Sequence, residues 1–243
     1  MIRQSRVLRR NFDDYLKLMI LSRLYYSHKI AKGIRGAEPE LAILPDIVPA
    51  GCTAIDIGAY RGVYSYALSR IARRVEAFEP NPVLAKIIAA KLAPKVRVHE
   101  VALSDRDGHA TLYIPRSQNG SAYRVGASLG NVNPGATVSE LQVRVATLDG
   151  YEFDNVGFIK MDAEASELRI IAGAQRTIAR HRPHMLVELI APIHDTDAEI
   201  DAIKAMLDYD AWVMAGNTRV EARRALDELS AAVKTCNVLF TPK

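Results

Sequence analysis

The stretch T-A-I-D-I-G-A-Y-R-G, from Thr53 to Gly62, decides the fold of this chain. Its apolar run, residues 54–57, is interrupted only by Asp56 and ends at Gly58, which predicts a buried strand followed by a tight turn. A helix is predicted to begin after Gly62, so that backbone N–H groups of the turn face a ligand. This pattern is typical of the start of a βαβ unit with a ligand at its first turn.

A second apolar segment supports this interpretation. Residues Val75–Phe78 predict the next strand, and Glu79 follows it, 21 residues after Gly58. An acid at that distance lies at the tip of the second strand of a βαβ unit, where it can bind the hydroxyls of a ribose. We therefore predict a nucleotide-type ligand between Gly58 and Glu79.

Composition places the chain among globular proteins. It has 243 residues, 49% of them hydrophobic, and a net charge of +4. Residues 1–36 hold nine Lys or Arg against two Asp or Glu, so the rest of the chain is mildly acidic. A nucleic-acid-binding body would carry its own basic face, and we predict no nucleic-acid partner. The cysteines, Cys52 and Cys236, have no disulfide or metal spacing, which favours a reducing, cytoplasmic location.

The basic N-terminal arm, residues 1–38, is predicted to be helical because apolar residues between Tyr15 and Tyr26 fall on one helical face. No apolar run is long enough to span a bilayer, and no cleavage site follows Leu16–Leu24, so neither a membrane span nor a secretory signal is predicted. Three interpretations stay open for the arm. It is a helix packed on the domain or on a second copy of the chain, a peripheral helix on an anionic membrane, or a flexible tail.

Predicted strands and helices alternate through residues 39–243, which favours one α/β domain with a mostly parallel sheet and helices on both faces. The predicted strands cover residues 54–57, 75–78, 96–103, 110–114, 141–145, 156–161, 184–190, 212–215 and 237–241, and the predicted helices cover 39–48, 63–73, 82–93, 167–181 and 197–209. Two strands, 110–114 and 141–145, are predicted to pair as a hairpin within an insertion at about residues 106–148. The long loop 115–137 between them is interpreted as a functional lid, with a disordered insert as the alternative.

Polar residues gather where the predicted strands end. They are Asp56, Glu79, Ser104, Asp162, Glu164 and Glu188. The carboxyl ends of parallel strands share one edge of the sheet, and ligands bind there. Because buried carboxylates must be paired or neutralised, a cationic ligand suits this edge.

The turn after the first strand lacks phosphate-binding features. A dinucleotide fingerprint needs glycine where Tyr60 and Val63 stand, and no phosphate-loop motif occurs in the chain. A ribose-binding acid beside an acidic edge suits S-adenosylmethionine, which has a ribose and a cationic sulfonium but no phosphate.

Seven short motifs, in this order and spacing, resemble the FkbM-type S-adenosylmethionine-dependent methyltransferases. They are I-D-I-G-A-Y-R-G from Ile55, F-E-P-N-P from Phe78, V-A-L-S-D from Val101, A-S-L from Ala127, T-L-D from Thr147, K-M-D-A-E-A-S-E-L from Lys160 and R-P-H-M-L-V-E-L from Arg182. The resemblance covers about residues 50–195. It implies a class I methyltransferase fold, Rossmann-like, with a seven-stranded sheet that ends in a reversed strand, and methyl transfer to a hydroxyl. The chain departs from the family where Tyr60 replaces the usual Asn and Ala165 the usual Gly.

The resemblance implies a role for each site residue. The predicted cofactor-binding residues are Asp56, Gly58, Ala59, Tyr60, Gly62, Glu79, Pro80, Asn81, Ala102 and Leu103. Gly58 to Gly62 would line the methionine end, Asp56 would hold the turn or the ammonium group, and Glu79 would bind both ribose hydroxyls. Asn81 with the Ala102–Leu103 backbone would border the adenine.

The catalytic prediction follows from the weak acidity of a hydroxyl, which needs a general base. Asp162 is the predicted base and Glu188 the second candidate, with His184 and His194 less favoured. Ser128 and Glu164 are predicted to touch the acceptor. No metal is predicted, although a divalent ion bridging the two catalytic carboxylates stays open.

Two classes of function remain. The first is O-methylation of a sugar hydroxyl, for example of a deoxysugar such as fucose, in an oligosaccharide, glycolipid or secondary metabolite. The alternative is a non-catalytic nucleotide-binding or scaffold protein with the same fold. N-methylation is less favoured, because Asp162-Ala163-Glu164 stands where such enzymes typically carry an Asn/Asp-Pro-Pro-aromatic signature. A homo-oligomer stays open.

Overall fold

The computed structural model describes residues 22–36, 38–92, 94–115, 127–129, 138–189, 196–215, 218–222 and 236–243. The strands are β1 Thr53–Ile57, β2 Arg74–Phe78, β3 Val96–His99, β4 Ala102–Leu103, β5 Gly108–Pro115, β6 Val138–Ala146, β7 Val156–Met161, β8 His184–Leu189, β9 Tyr209–Ala215, β10 Thr218–Glu221 and β11 Cys236–Pro242. Within these ranges, eight strands form the main sheet in the order β10-β9-β11-β8-β7-β1-β2-β3.

The main sheet has the predicted class I architecture. Strands β3, β2, β1, β7 and β8 pair in parallel, and β11 is reversed between β8 and β9. The sequence did not predict β10, which extends this edge by an antiparallel pairing with β9. The order places β1 at the centre between β2 and β7, so the ends of these three strands lie side by side.

One predicted strand, 96–103, is wrong as a single element, since it serves two sheets. β3 pairs with β2, whereas β4 pairs with β6 in a smaller sheet of order β4-β6-β5. The chain turns sharply between them, where the Val101 N–H donates to the His99 carbonyl at 3.0 Å. The predicted hairpin of β5 and β6 is confirmed and runs from Gly108–Val145 to Pro115–Val138.

The helices are α1 Ser22–Ile34, α2 Leu44–Ile47, α3 Val63–Ser69, α4 Pro82–Leu92, α5 Glu167–Ala172, α6 Gln175–His181 and α7 Thr196–Leu207, with 3₁₀ turns at Pro39–Ala42 and Leu148–Tyr151. The predicted helix 39–48 is thus a 3₁₀ turn followed by α2. The predicted helix 167–181 is two helices, because a Cβ on Gly173 would lie 2.0 Å from the Ser104 carbonyl oxygen and Asp149 accepts the N–H groups of Arg176 and Thr177 at the start of α6.

The core lies on both faces of the main sheet, because side chains of each strand alternate between them. In β1, Ile55 and Ile57 join the cluster under α5 and α6, whereas Ala54 joins the cluster under α1–α3. Helix α1 belongs to the second cluster through Tyr26, which stacks on Tyr66 at 4.8 Å and donates its hydroxyl to the Arg61 carbonyl at 3.0 Å. For these residues the arm is a helix packed on the domain.

Several predictions fall outside the described residues, namely those on residues 1–21, His194 and most of the loop 115–137. Across the described ranges, every helix is too short or too polar to cross a bilayer.

Candidate active site

The first turn, residues 58–62, follows β1. Its N–H groups were predicted to face a ligand, but four of them, those of Gly58, Ala59, Tyr60 and Gly62, donate to groups of the protein. Gly58 and Ala59 both donate to the Phe78 carbonyl at 3.0 Å. Gly58 has φ 77°, and a Cβ there would lie 1.7 Å from the carbonyl oxygen of Asp162. Glycine is therefore required at this position for two reasons, the left-handed backbone and the close approach of the chain after β7.

Glu79 ends β2 with its carboxylate facing the first turn. Its side chain is buried, and its two oxygens accept the N–H groups of Tyr60 at 2.7 Å and Asn81 at 2.8 Å. Each carboxylate oxygen retains a further lone pair for a ligand. Burial raises the pKa of Glu79 to about 7, although the two backbone hydrogen bonds lower it.

These elements enclose a cavity of about 860 Å³, including its open mouth. The predicted site residues on its wall are Gly58, Tyr60, Glu79, Pro80, Asn81, Ala102, Leu103, Asp162 and Glu164. The cavity thus combines a two-oxygen acceptor at one end with a backbone turn and two further acids, and this donor and acceptor set fits S-adenosylmethionine.

Five predicted site residues lie behind the wall rather than on it: Asp56, Ala59, Gly62, Ser128 and Glu188. Asp56 is buried and accepts a hydrogen bond from the Ser65 hydroxyl, and burial raises its pKa to about 6. Of the two roles predicted for Asp56, the geometry favours holding the turn. Ser128 is buried and exchanges backbone hydrogen bonds with Tyr113 at 2.9 and 3.2 Å.

The second turn, residues 162–166, follows β7 and forms the acidic part of the wall. The Glu188 carboxyl, on β8, shares a hydrogen bond with Asp162. Burial and the charge of Asp162 together raise the pKa of Glu188 to about 8, whereas the charge of Lys160 lowers it. Burial together with Asp162 raises the pKa of Glu164 to about 7. The carboxyls of Glu164 and Glu188 therefore retain protons near neutral pH.

Among the residues described, no three His, Cys, Asp or Glu side chains are arranged to hold a metal ion. The less favoured base, His184, points away from the cavity and contacts the Ile47 carbonyl at 2.7 Å through Nδ1.

The sequence analysis missed two contributions to the site. Apolar side chains of the small sheet close the cavity: Leu112, Ile114, Ala127 and Leu129. The bridge at Ser128 fixes the last two beside β5. Lys160 is fully buried next to the acids, and its only signal in the sequence is a lone charge in the otherwise apolar strand β7.

The chain matches a protein family and several solved folds. Residues 56–212 match the Methyltransferase FkbM domain. No curated protein matches the chain by sequence. The structure of methyltransferase FkbM from Methylobacillus flagellatus KT is 20% identical with a TM-score of 0.50, and the alignment covers 78% of this chain and 43% of that one.

Two further structures align over most of both chains. A methyltransferase from Streptococcus mutans, crystallised with SAH, is 11% identical over 84% of this chain and 96% of that one, with a TM-score of 0.48. A TehB-like SAM-dependent methyltransferase from Corynebacterium glutamicum is 11% identical over 90% and 97%, with a TM-score of 0.48. Because the family match spans more than half of the sequence, from within β1 to within β9, the chain belongs to the FkbM methyltransferase family, whose methyl donor is S-adenosylmethionine.

Proposed function

We propose that the protein is an O-methyltransferase that transfers the methyl group of S-adenosylmethionine to a hydroxyl of a sugar-containing acceptor. One observation carries the proposal. A single cavity is lined both by the ribose-type acceptor Glu79 and by Asp162, which is a candidate general base.

The residues that would hold the donor surround the first turn. Glu79 offers one free lone pair on each oxygen, which suits two neighbouring ribose hydroxyls. Gly58 and Tyr60 would line the methionine end, and Asn81 with Ala102–Leu103 would border the adenine. Among the described residues these groups are backbone or neutral apart from Glu79, as expected for a ligand without phosphates.

When bound, S-adenosylmethionine supplies an electrophilic methyl group on a cationic sulfonium. Asp162 would take the proton of the acceptor hydroxyl while the methyl group passes from the donor's sulfur to that oxygen, leaving a neutral thioether. Glu188 keeps its own proton and donates a hydrogen bond to Asp162. General-base assistance of this kind contributes about 10²–10⁴-fold to the rate.

The acceptor proposal rests on the acids of the second turn. Glu164 and Asp162 face the cavity and can accept hydrogen bonds from several hydroxyls of one sugar. The apolar side chains of β5 and residues 127–129 would cover a less polar part, such as the ring face or methyl group of a deoxysugar. A sugar of an oligosaccharide, a glycolipid or a secondary metabolite meets both requirements.

A screen of sugar and glycolipid acceptors with methyl-labelled S-adenosylmethionine tests this proposal. We expect label on a hydroxyl oxygen, and we expect Asp162→Asn to lower turnover at least 100-fold while keeping donor affinity. Asp154→Asn is the matched control, since Asp154 is exposed and distant from the cavity wall. Label on nitrogen would overturn O-methylation, and parental turnover of Asp162→Asn would exclude Asp162 as the base.

Calorimetry with S-adenosylmethionine tests the donor site, whereas turnover in the acceptor screen distinguishes the enzyme from a non-catalytic binder or scaffold. Binding by the intact protein that is weakened by Glu79→Ala supports the proposed donor site. Absence of binding by the intact protein would end the proposal.

A further inference from the structure

Lys160 is a lysine with almost no contact with solvent. Its side chain is 1% exposed, and its Nζ donates to the Met161 carbonyl at 3.2 Å and to the Asn237 amide oxygen at 3.1 Å. The same ammonium lies 5.1 Å from the centre of the Tyr64 ring. A buried ammonium is costly unless it is paired, so its position calls for negative partners.

Carboxyls approach Lys160 from three of the segments packed around it. Glu38 and Glu40 belong to the segment before α2, Asp56 to β1 and Glu188 to β8. Burial raises the pKa of each of these four carboxyls, and the charge of Lys160 lowers all four. Further charged or titratable groups act on members of this set: Asp162, Glu164, Lys29 and the Tyr64 hydroxyl.

The register of the strands explains how these groups meet. Lys160 is the direct partner of Asp56 in the β1–β7 pair, and Asn237 is the direct partner of Glu188 in the β8–β11 pair. Lys160 and Asp162 are two residues apart on β7 and its extension, so both point to the same face. The ammonium therefore lies beside the Asp162–Glu188 pair, one side-chain position earlier along the same face of the sheet.

We propose that Lys160 is a positioning residue of the methyl-transfer site, whose charge holds the Asp162–Glu188 pair at a single shared proton and whose contact with Asn237 fixes β8 beside it. The inference rests on the proposed function, because it concerns the state of the proposed base. With one proton on Glu188, Asp162 is free to take the acceptor's proton. With a second proton on the pair, that step is blocked.

The same contacts extend to the N-terminal segment. Asn237 accepts from Lys160 and donates to Glu40 at 3.5 Å, and Glu40 is itself buried. Segment 38–42 thus closes the side of the cluster that faces away from the cavity. This arrangement explains why an acid of that segment is buried in a region whose sequence carries no motif of the family.

The test measures the titration of Glu188 directly. Carbon-13 spectra of protein labelled at its glutamate side-chain carboxyls give the titration midpoint of Glu188, with neither donor nor acceptor present. The Glu188→Gln variant assigns the signal. We expect Lys160→Met to raise that midpoint by about one pH unit or more, because a neighbouring positive charge is lost. Lys86→Met, on the exposed face of α4, is the control and leaves the midpoint unchanged.

A second variant covers the case in which Lys160→Met does not fold. Asn237→Ala removes one hydrogen bond to the ammonium and keeps its charge, so we expect a smaller shift in the same direction. The proposal would be overturned if the Glu188 midpoint stayed unchanged in whichever of these two variants fold. Since no methyl transfer is measured, this result is independent of whether an acceptor is found.

The pH profile of turnover, once an acceptor is known, separates positioning from mere stabilisation. For Lys160→Met we expect the acid limb to move to higher pH, so that turnover falls at least tenfold at pH 7 and recovers towards pH 9. An equal loss at all pH values would show a structural role alone and contradict the proposal.

Discussion

The two turns at the carboxyl edge of the main sheet both line the cavity, but they are built from different residues. The first turn has left-handed backbone at Gly58, Tyr60 and Gly62, with φ of 77°, 49° and 76°. The second turn has left-handed backbone at Glu164 and Ala165, with φ of 49° and 75°, and no glycine at either position. A non-glycine residue in this conformation costs about 1–2 kcal/mol. The first turn therefore carries this cost at Tyr60 alone, whereas the second turn carries it at both Glu164 and Ala165.

The two turns are also in direct contact. Asp162 N–H donates to the Ile57 carbonyl at 3.0 Å, and the Asp162 carbonyl occupies the space that a Cβ on Gly58 would need. The position of the proposed base is thus set partly by a glycine of the other turn. This contact implies that the donor and acceptor sides cannot be altered independently.

The largest effect is expected from Gly58→Ala. The new Cβ would lie 1.7 Å from the carbonyl oxygen of Asp162. That oxygen belongs to the backbone, which cannot move aside at low cost. We expect a loss of at least about 3 kcal/mol in the free energy of unfolding, measured by urea denaturation. Gly51→Ala is the matched control, because Gly51 has φ 71° and no atom within 4 Å of its Cβ position. It should show only the left-handed cost of about 1–2 kcal/mol. Equal losses in the two variants would show that the turns do not depend on their contact.

Glu79→Gln is expected to weaken S-adenosylmethionine binding about 10–100-fold. The substitution removes the charge and turns one oxygen that accepts a backbone N–H into a donor, and a hydrogen bond to a charged group is worth about 1.5–3 kcal/mol. Calorimetry measures the affinity. Glu76→Gln is the control, since Glu76 is a buried acid of the same strand that pairs with His99 at 2.7 Å away from the cavity. It should lower stability and leave the affinity intact, and a similar loss of affinity in both variants would contradict the role of Glu79.

Donor affinity is expected to fall as the pH drops below neutrality. The pKa of Glu79 is about 7, so the carboxylate that binds hydroxyls is fully present above that value and is lost below it. Well below the pKa, the apparent affinity falls about tenfold for each pH unit, in proportion to the ionised fraction. Calorimetry from pH 5 to pH 8 measures this. Glu164, whose pKa is also about 7, provides the check, because Glu164→Gln should keep the dependence and Glu79→Gln should remove it.

The sequence predicted that Gly58 and Glu79 lie together, because the determinants of both positions are local. An apolar run that stops at Gly58 and an acid after the next strand are both visible within a few residues, and the structure brings them to one cavity. The same holds for the hairpin β5–β6, whose alternation is regular. The resemblance added the order of the strands, which local patterns do not encode.

The remaining features depend on contacts between distant residues. The break between β3 and β4 follows from pairing with β6, some 40 residues later, and the break between α5 and α6 from the approach of Ser104 to Gly173. Asp56 and Glu188 do not line the cavity, although they stand at or near strand ends like the residues that do. Burial of Lys160 results from segments of five different elements, which no single stretch of sequence displays.

Ala165→Gly is expected to have the smallest effect and the opposite sign. Ala165 has φ 75°, where the family usually has glycine, so glycine relieves a left-handed strain of about 1–2 kcal/mol. The greater freedom of glycine in the unfolded chain offsets about 0.4–1 kcal/mol of this gain. The net stabilisation of about 0.5–1 kcal/mol should raise Tm by about 1–4 °C in a protein of this size. Ala163→Gly is the control in the same turn, since Ala163 is absent from the left-handed positions and glycine there should destabilise. If both variants lost stability equally, the second turn would store no strain at Ala165, and the contrast between the two turns would rest on Gly58 alone.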